Sequence, residues 1–245
     1  LMARRGDGLA EAERATREAV PEARVSLHLG DCSDEVAVRT ALGEAHAVGG
    51  RLDIAFASVG GGGFKPLLAL TPDDLRREFE LNVTTAFHVI RHGAPLMQRG
   101  GSIVCLSSST GKMPFAYLAA YHIAKAALEG LVRGAAEELG HLGIRVNAVR
   151  PGMTRSGGTA PMFDSPAALA PFLAEYPLGR LGQPGDIAGA VRFLAGPESG
   201  WMTGQCFAVD GGNELRRNPD LTPMLEAMLG PETFAAQRAG KETVR

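Results

Sequence analysis

Five short apolar runs, separated by stretches of helical periodicity, constrain this chain more than any other feature. Val25–Leu29, Ile54–Ala57, Ile103–Ser107, Ile144–Val149 and Cys206–Val209 are too short for ordinary helices, and they lack the polar alternation of a half-wet strand. They are predicted as strands buried on both faces. Between them, helices are predicted over Gly8–Val20, Glu35–Val48, Pro72–Leu81, Val83–Gln98, Ala119–Leu142 and Gly185–Leu194. Strand and helix in alternation give an α/β fold, a doubly wound parallel sheet covered on both faces. Asp186, at the start of the last of these helices, has the residue type of an N-cap or first-turn position.

With 245 residues, 45% of them hydrophobic, the chain can bury one full core and is expected to be a single domain. The net charge of -2, with no basic block, excludes the usual signature of nucleic-acid or anionic-membrane binding. No apolar run is long enough to span a bilayer, and no charged segment followed by an apolar one marks a secretory leader, so a cytoplasmic protein is expected. Cys32, Cys105 and Cys206 stand singly, which suggests small core residues and neither a disulfide framework nor a metal site. There is no solenoid repeat and no low-complexity linker.

The chemistry is concentrated in Tyr121-His122-Ile123-Ala124-Lys125, with Ser108 thirteen residues before the tyrosine. On a helix, residues four apart share a face, so phenol and ammonium can share one pocket. A free tyrosine titrates near ~10, and lowering that by about 2 to 3 units takes roughly 3 to 4 kcal/mol. An ammonium about 4 Å away supplies ~4 kcal/mol at an effective dielectric of ~20 but only ~1 in bulk water. The pair is therefore expected to make an acidic tyrosine only where water is scarce. A surface helix can carry the same spacing with no function.

The surrounding motifs resemble the short-chain dehydrogenase/reductase family from near Leu1 to about residue 212. Gly101-Ser102-Ile103-Val104-Cys105-Leu106-Ser107-Ser108 is similar to the strand that delivers the family's catalytic serine, and Asn82 in Leu81-Asn82-Val83 to its catalytic asparagine. Arg145-Val146-Asn147-Ala148-Val149-Arg150-Pro151-Gly152 resembles the strand and turn that close over the nicotinamide, and Val209-Asp210-Gly211-Gly212 the end of the last strand. The resemblance implies a Rossmann-like sheet and an NAD(P)(H)-dependent oxidoreductase interconverting a ketone or aldehyde and an alcohol.

In that reading Tyr121 is the general acid or base, and Lys125 lowers its pKa and binds the nicotinamide ribose. Ser108 donates to the substrate oxygen, with Ser107 and Ser109 as rival donors. Asn82 has two readings, a water relay to Lys125 or the N-cap of the helix that begins at Val83. Pro151, Gly152, Thr154 and Ser156 are placed to contact the nicotinamide carboxamide.

Further cofactor contacts follow from the same resemblance. Asp31 and Cys32 match the positions that contact adenine; the alternative is that Asp31 caps the turn into the next helix, in competition with Ser33 and Asp34. Arg4 and Arg5 stand where NAD-dependent relatives carry an acidic residue, so NADP(H) is expected over NAD(H), an arginine being able to grip a 2′-phosphate with paired bonds. Ala57-Ser58-Val59-Gly60 replaces the family's Asn-Asn-Ala-Gly; Ser58 and Gly60, in the loop that runs on to Gly63, are expected to flank the cofactor ribose rather than to bind pyrophosphate. The family's first strand and glycine-rich turn have no counterpart here, and Leu1-Met2-Ala3-Arg4-Arg5 resembles the end of its second strand. The expectation is that about 30 to 40 further residues, one strand-helix-strand step, precede Leu1 in a longer protein.

Substrate identity is the least determined. Met153, Met162, Phe163 and Phe172 are an apolar, adaptable set that suits a hydrophobic ketone or secondary alcohol, or else a core under a lid. Residues 1–212 are taken as the Rossmann-like domain and 213–245 as an extension. There Leu221, Met224, Leu225, Met228 and Leu229 form a helical apolar stripe ended by Gly230-Pro231, which caps the pocket, packs on its own domain or meets a neighbouring subunit. A homodimer or homotetramer is implied by the resemblance, through the helices at Val83–Gln98 and Ala119–Leu142. Two readings from other classes stand beside the oxidoreductase. One is a cofactor-free lyase on the same scaffold, although such relatives replace the lysine. The other is a non-catalytic nucleotide-sensing protein, which has no need of the complete Asn82, Ser108, Tyr121 and Lys125 set.

Overall fold

The computed structural model describes residues 1–241; the last four residues of the extension, 242–245, lie outside that range. Strands β3 (Leu52–Ala57), β4 (Met97–Leu106), β5 (Arg145–Pro151) and β6 (Cys206–Val209) form one sheet in that order, all parallel. Met2–Ala3 (β1) and His28–Leu29 (β2) pair in parallel as a separate two-stranded ribbon. The apolar run at Val25–Leu29 yields only its last two residues to a strand, since β1 offers just two residues to pair with. The outer edge of β3 is unpaired in this sheet, and Ile54 and Phe56 are exposed there.

Alternation along β4 and β5 places helices on both faces. Ile103, Cys105, Val146 and Ala148 point to one side, where α4 (Thr85–Gly93) contributes Ala86 and Ile90 and α5 (Ala119–Leu139) contributes Ala124, Leu128 and Val132. Val104 and Val149 point to the other, against Ile187 and Leu194 of α8 (Pro184–Ala195). Arg145 ties β5 to the end of α8 by donating to the carbonyls of Leu194 and Gly196 and to the Ser199 hydroxyl. The chain leaves the turn after α5 through Gly143 at φ 72, a left-handed conformation that costs glycine nothing, and enters β5. At α8 the N-cap is Gln183; Asp186 sits in the first turn, accepts from the Gln183 amide and pairs with Arg180. None of the described helices is long and apolar enough to cross a membrane.

Two predicted boundaries change, for one reason each. The segment predicted as Val83–Gln98 ends as α4 at Gly93, because Pro95 opens a short 3-10 turn and Met97 already begins β4. Pro72–Leu81 and Val83–Gln98 are not separate helices. α3 (Pro72–Phe79) runs into α4 through a π-helical turn at Glu80–Thr84, so Asn82 lies inside continuous helix and its N-cap reading is wrong. The cap of α3 is Thr71, whose hydroxyl accepts from the Asp74 amide while Asp74 accepts from the Thr71 amide.

The extension folds back on the domain. In α9 (Thr222–Leu229) and α10 (Pro231–Arg238), Leu225 and Phe234 are buried together with Leu221 against Phe115, Leu118, Phe172 and Tyr176. Met228, counted in the apolar stripe, instead faces solvent.

Candidate active site

At the C-terminal end of β4 the chain leaves the sheet through Ser107, Ser108 and a 3-10 turn at Ser109–Gly111. Of the three serines, Ser107 is buried and donates to Glu129 at 2.9 Å, and Ser109 is buried as well. Ser108 is half-buried; its oxygen accepts from the Thr110 amide at 3.2 Å, and it is near enough to Tyr121 to lower that residue's pKa.

Tyr121 and Lys125 lie in the first two turns of α5. Lys125 is only 2% exposed, and its Nζ donates to the Leu106 carbonyl at 2.7 Å. That nitrogen is 5.7 Å from the centre of the Tyr121 ring. Burial draws the Lys125 pKa down to about 8, against the opposing field of Cys105 and Glu78. Tyr121 is pushed above its ordinary value, because burial outweighs the Ser108 hydrogen bond and the Glu78 carboxylate adds to the rise. The expected acidic tyrosine is therefore not what this arrangement makes. The amine is turned toward a backbone carbonyl, and its charge does not offset the burial of the phenol.

Asn82 is fully buried and used completely. Its Nδ2 donates to the carbonyls of Gly61 (2.8 Å) and Glu78 (2.9 Å), and its Oδ1 accepts from the Gly61 amide (3.0 Å). The side chain thus holds the glycine loop as a strand would, matching both its donor and its acceptor. The interruption of the helical ladder at Glu80–Thr84 is a π-bulge, a feature common at functional sites. A Cβ at Gly60 would stand 2.7 Å from both Asn82 Oδ1 and Lys125 Nζ, and one at Gly62 would stand 2.6 Å from the Tyr121 ring. Glycine is required at both places for close approach.

Glu78 is the residue that spacing did not single out. It accepts from the Gly63 amide (3.2 Å) and from Asn82 Nδ2 (3.1 Å), its pKa is raised by burial, and its charge is felt by both Tyr121 and Lys125. Its position four residues before Asn82 on one helix was the only available signal.

The remaining candidates fall into separate groups. After β5, Gly152 lies so close to Tyr176 and Asp210 that a Cβ would meet the Tyr176 hydroxyl at 2.8 Å. Gly152 and Thr154 line a small cavity with Met153, Tyr176 and Asp210, and Pro151 ends the strand beside them. Ser156 is exposed and bonds Thr159. Ser58 is exposed at the start of the glycine loop. Met153, Met162, Phe163 and Tyr121 are partly buried residues that pack against one apolar cluster, whereas Phe172 is 4% exposed and belongs to the core of that cluster.

At the other ribbon, Arg4 approaches Asp31 (3.8 Å) and Arg5 approaches Asp7 (3.7 Å), all with exposed side chains. Asp31 accepts from the amide and hydroxyl of Ser33, and Cys32 is half-buried beside it. The helix cap goes to Asp34, which accepts from Val36 and Ala37, while Asp31 caps the turn that leads into the helix through the Ser33 amide.

A family profile described as enoyl-(acyl carrier protein) reductase matches residues 4–214. The chain is 38% identical over 171 residues to 7alpha-hydroxysteroid dehydrogenase of Escherichia coli (strain K12), covering 69% of this chain and 66% of that one. It is 37% identical over 166 residues to the cyclic-di-GMP-binding biofilm dispersal mediator protein of the same organism, covering 66% and 68%. The chain thus spans about two thirds of the length of these relatives. A solved short-chain type dehydrogenase/reductase from Mycobacterium ulcerans superposes with a TM-score of 0.89 at 31% identity, covering 96% of this chain and 86% of that one.

The buried lysine makes stability depend on pH in a definite direction. With its folded pKa near 8 and its reference value at 10.5, Lys125 holds fewer protons in the native than in the unfolded chain between those limits. Stability should therefore rise with pH across that window. Relative to Lys125→Met, the wild type should gain roughly 3 kcal/mol between pH 8 and pH 10.5 in urea denaturation. A flat difference between the two proteins would mean that the amine is solvated.

Proposed function

This chain belongs to the short-chain dehydrogenase/reductase family of NAD(P)-dependent oxidoreductases, and from that premise we propose that it interconverts a ketone or aldehyde and an alcohol, with Tyr121 as the proton donor or acceptor. The observation that carries the reading is the convergence of Tyr121, Lys125 and Asn82 on one glycine loop, with Ser108 near Tyr121 and the lysine buried and making a single hydrogen bond among the described residues. A protonated lysine has three donors, and the Leu106 carbonyl uses one. The remaining donors suit a pair of ribose hydroxyls, and the close approach at Gly60 leaves the backbone bare beside them. These residues fit the nicotinamide half of the cofactor. When bound, that group supplies or accepts the hydride.

The chain's own residues do the rest. The raised pKa of Tyr121 keeps its phenol protonated at neutral pH, the form needed to donate to a carbonyl oxygen during reduction. Ser108, near that phenol, offers its hydroxyl to the same oxygen as negative charge develops. Asn82 fixes the glycine loop over the site, and the Glu78 carboxylate favours the protonated form of Lys125. Met153, Met162 and Phe163, which share an apolar cluster with Tyr121, favour an apolar substrate. The exposed Phe87 on α4 and Ile123 on α5, with open space beside Gly130 and Gly134, support a dimer or tetramer through those helices. The similarity to a cyclic-di-GMP-binding protein gives the nucleotide-sensing reading its one support.

For the cofactor, the exposed Arg4 and Arg5 favour NADP(H). Their pairing with Asp31 and Asp7 at the surface is weak and leaves both guanidiniums free to meet a phosphate.

Three outcomes follow. Tyr121→Phe should lower turnover of ketones, followed at the reduced-nicotinamide absorbance, by about 10²- to 10⁴-fold while cofactor still binds; unchanged turnover removes the mechanism, and cofactor-free or absent turnover in the wild type favours the other classes. In Arg4→Ala/Arg5→Ala, kcat/KM with NADPH should fall about tenfold, by loss of a charge-assisted pair, while that with NADH stays constant. A wild type that already prefers NADH refutes the assignment. Sedimentation should give a dimer or tetramer that Ile123→Glu dissociates; a monomeric wild type counts against the α4–α5 interface.

A further inference from the structure

Away from Tyr121, helices α2 (Glu35–Gly49) and α4 bring together three ligand-type side chains that lie far apart in sequence. His88 and His92, four residues apart on α4, share a face, and Glu35, the first residue of α2, meets them from the neighbouring helix. His92 Nε2 lies 2.9 Å from Glu35 Oε1, and the two imidazole rings are 6.4 Å apart with their planes inclined by 30°. One donor atom from each of the three residues lies within 4.8 Å of the other two. His88 is only 8% exposed, and its Nδ1 is buried with no hydrogen-bond partner among the described residues. A buried imidazole nitrogen left without a partner is costly, and here it belongs to the residue that completes the cluster.

We propose that Glu35, His88 and His92 form a binding site for a divalent cation of the zinc class, with solvent as the remaining ligand. Two imidazoles and one carboxylate are a donor set that zinc takes readily in tetrahedral sites with one open position. Zinc-nitrogen bonds of about 2.0–2.1 Å require donors roughly 3.3 Å apart. Glu35 and His92, 2.9 Å apart, need only open slightly to that separation, and side-chain rotation brings His88 in. The Glu35 side chain, 44% exposed, gives the ion its way in. Arg91 Nη1 lies 3.7 Å from the same carboxylate and competes with a cation, but its side chain is 57% exposed and can turn away. A bound ion would staple α2 to α4, the helix that continues from the π-turn carrying Asn82. The inference is independent of the hydride chemistry.

The test uses the full chain, dialysed against a chelator and titrated with zinc by calorimetry, with cobalt(II) absorption in the visible as a probe of the ligand set. The expected result is one equivalent of zinc bound, a raised melting temperature, and a cobalt band typical of low coordination number. His92→Ala and His88→Ala should each weaken zinc binding by about tenfold or more. Glu35→Gln, a mild change at an exposed side chain, makes the same comparison if loss of the buried His88 unfolds the protein, with circular dichroism as the control for folding. A wild type that binds no stoichiometric zinc, or a zinc affinity unchanged in His92→Ala and Glu35→Gln, overturns the proposal. In that case the trio is an ordinary ion pair between two helices.

Discussion

Parallel pairing of β4 with β5 is the constraint on which the rest of this molecule depends. Ile103, Val104, Cys105, Val146, Ala148 and Val149 are fully buried, so both faces of these two strands must be covered at once. At roughly 25 cal/mol per Å² of apolar surface, slipping either strand by one residue would send every one of these side chains to the wrong helix layer. The register is therefore fixed, and the ends of the strands are fixed with it. Ser108 and the Leu106 carbonyl project from one end and Pro151–Thr154 from the next, and α5 is seated across the same face by Ala124, Leu128 and Val132. Burial of the Cys105 thiol, which pushes its pKa up to about 12, marks how dry the floor beneath Lys125 is.

A second layer of constraint is polar. Asn82 satisfies both backbone groups of Gly61 from inside a helix, which is possible because the π-turn swings that position toward the loop. Glu78 accepts from the Gly63 amide in the same loop. The loop that crosses the site is glycine throughout, from Gly60 to Gly63, and at two of its positions any side chain would strike the functional groups. Close backbone approach and hydrogen bonding thus substitute for side-chain packing along this loop. The neutral tendency of both Tyr121 and Lys125 is the electrostatic counterpart of that dryness.

Much of this was legible in the order of residues. The run Ile103–Ser107 and the motif that follows it placed a serine at a strand end, and a spacing of four put Tyr121 above Lys125 on α5, where the structure has them. The Cys206–Val209 strand and the Glu35 helix start were read directly, because strong apolar runs and acidic caps are local signals. The cap reading of Asn82 fails because a π-bulge has no sequence signature that separates it from a helix start. The acidity expected of Tyr121 failed because spacing fixes which face a lysine occupies but not which acceptor its amine finds. Glu78 and the Glu35, His88 and His92 cluster were missed for a related reason. Their partners come from other elements, and contacts of that kind exist only once the helices are packed.

The sequence by itself determined the alternation of strand and helix, the parallel sheet, and the residue types gathered near the end of β4. It could do so because hydrophobic periodicity and turn chemistry act over a few residues at a time. Only the tertiary structure decided the charge state favoured at Tyr121 and Lys125, the fusion of α3 and α4 into one interrupted helix, and the burial of Leu225 and Phe234 against Phe172. Those depend on desolvation and on neighbours distant along the chain, and neither exists until the chain has packed.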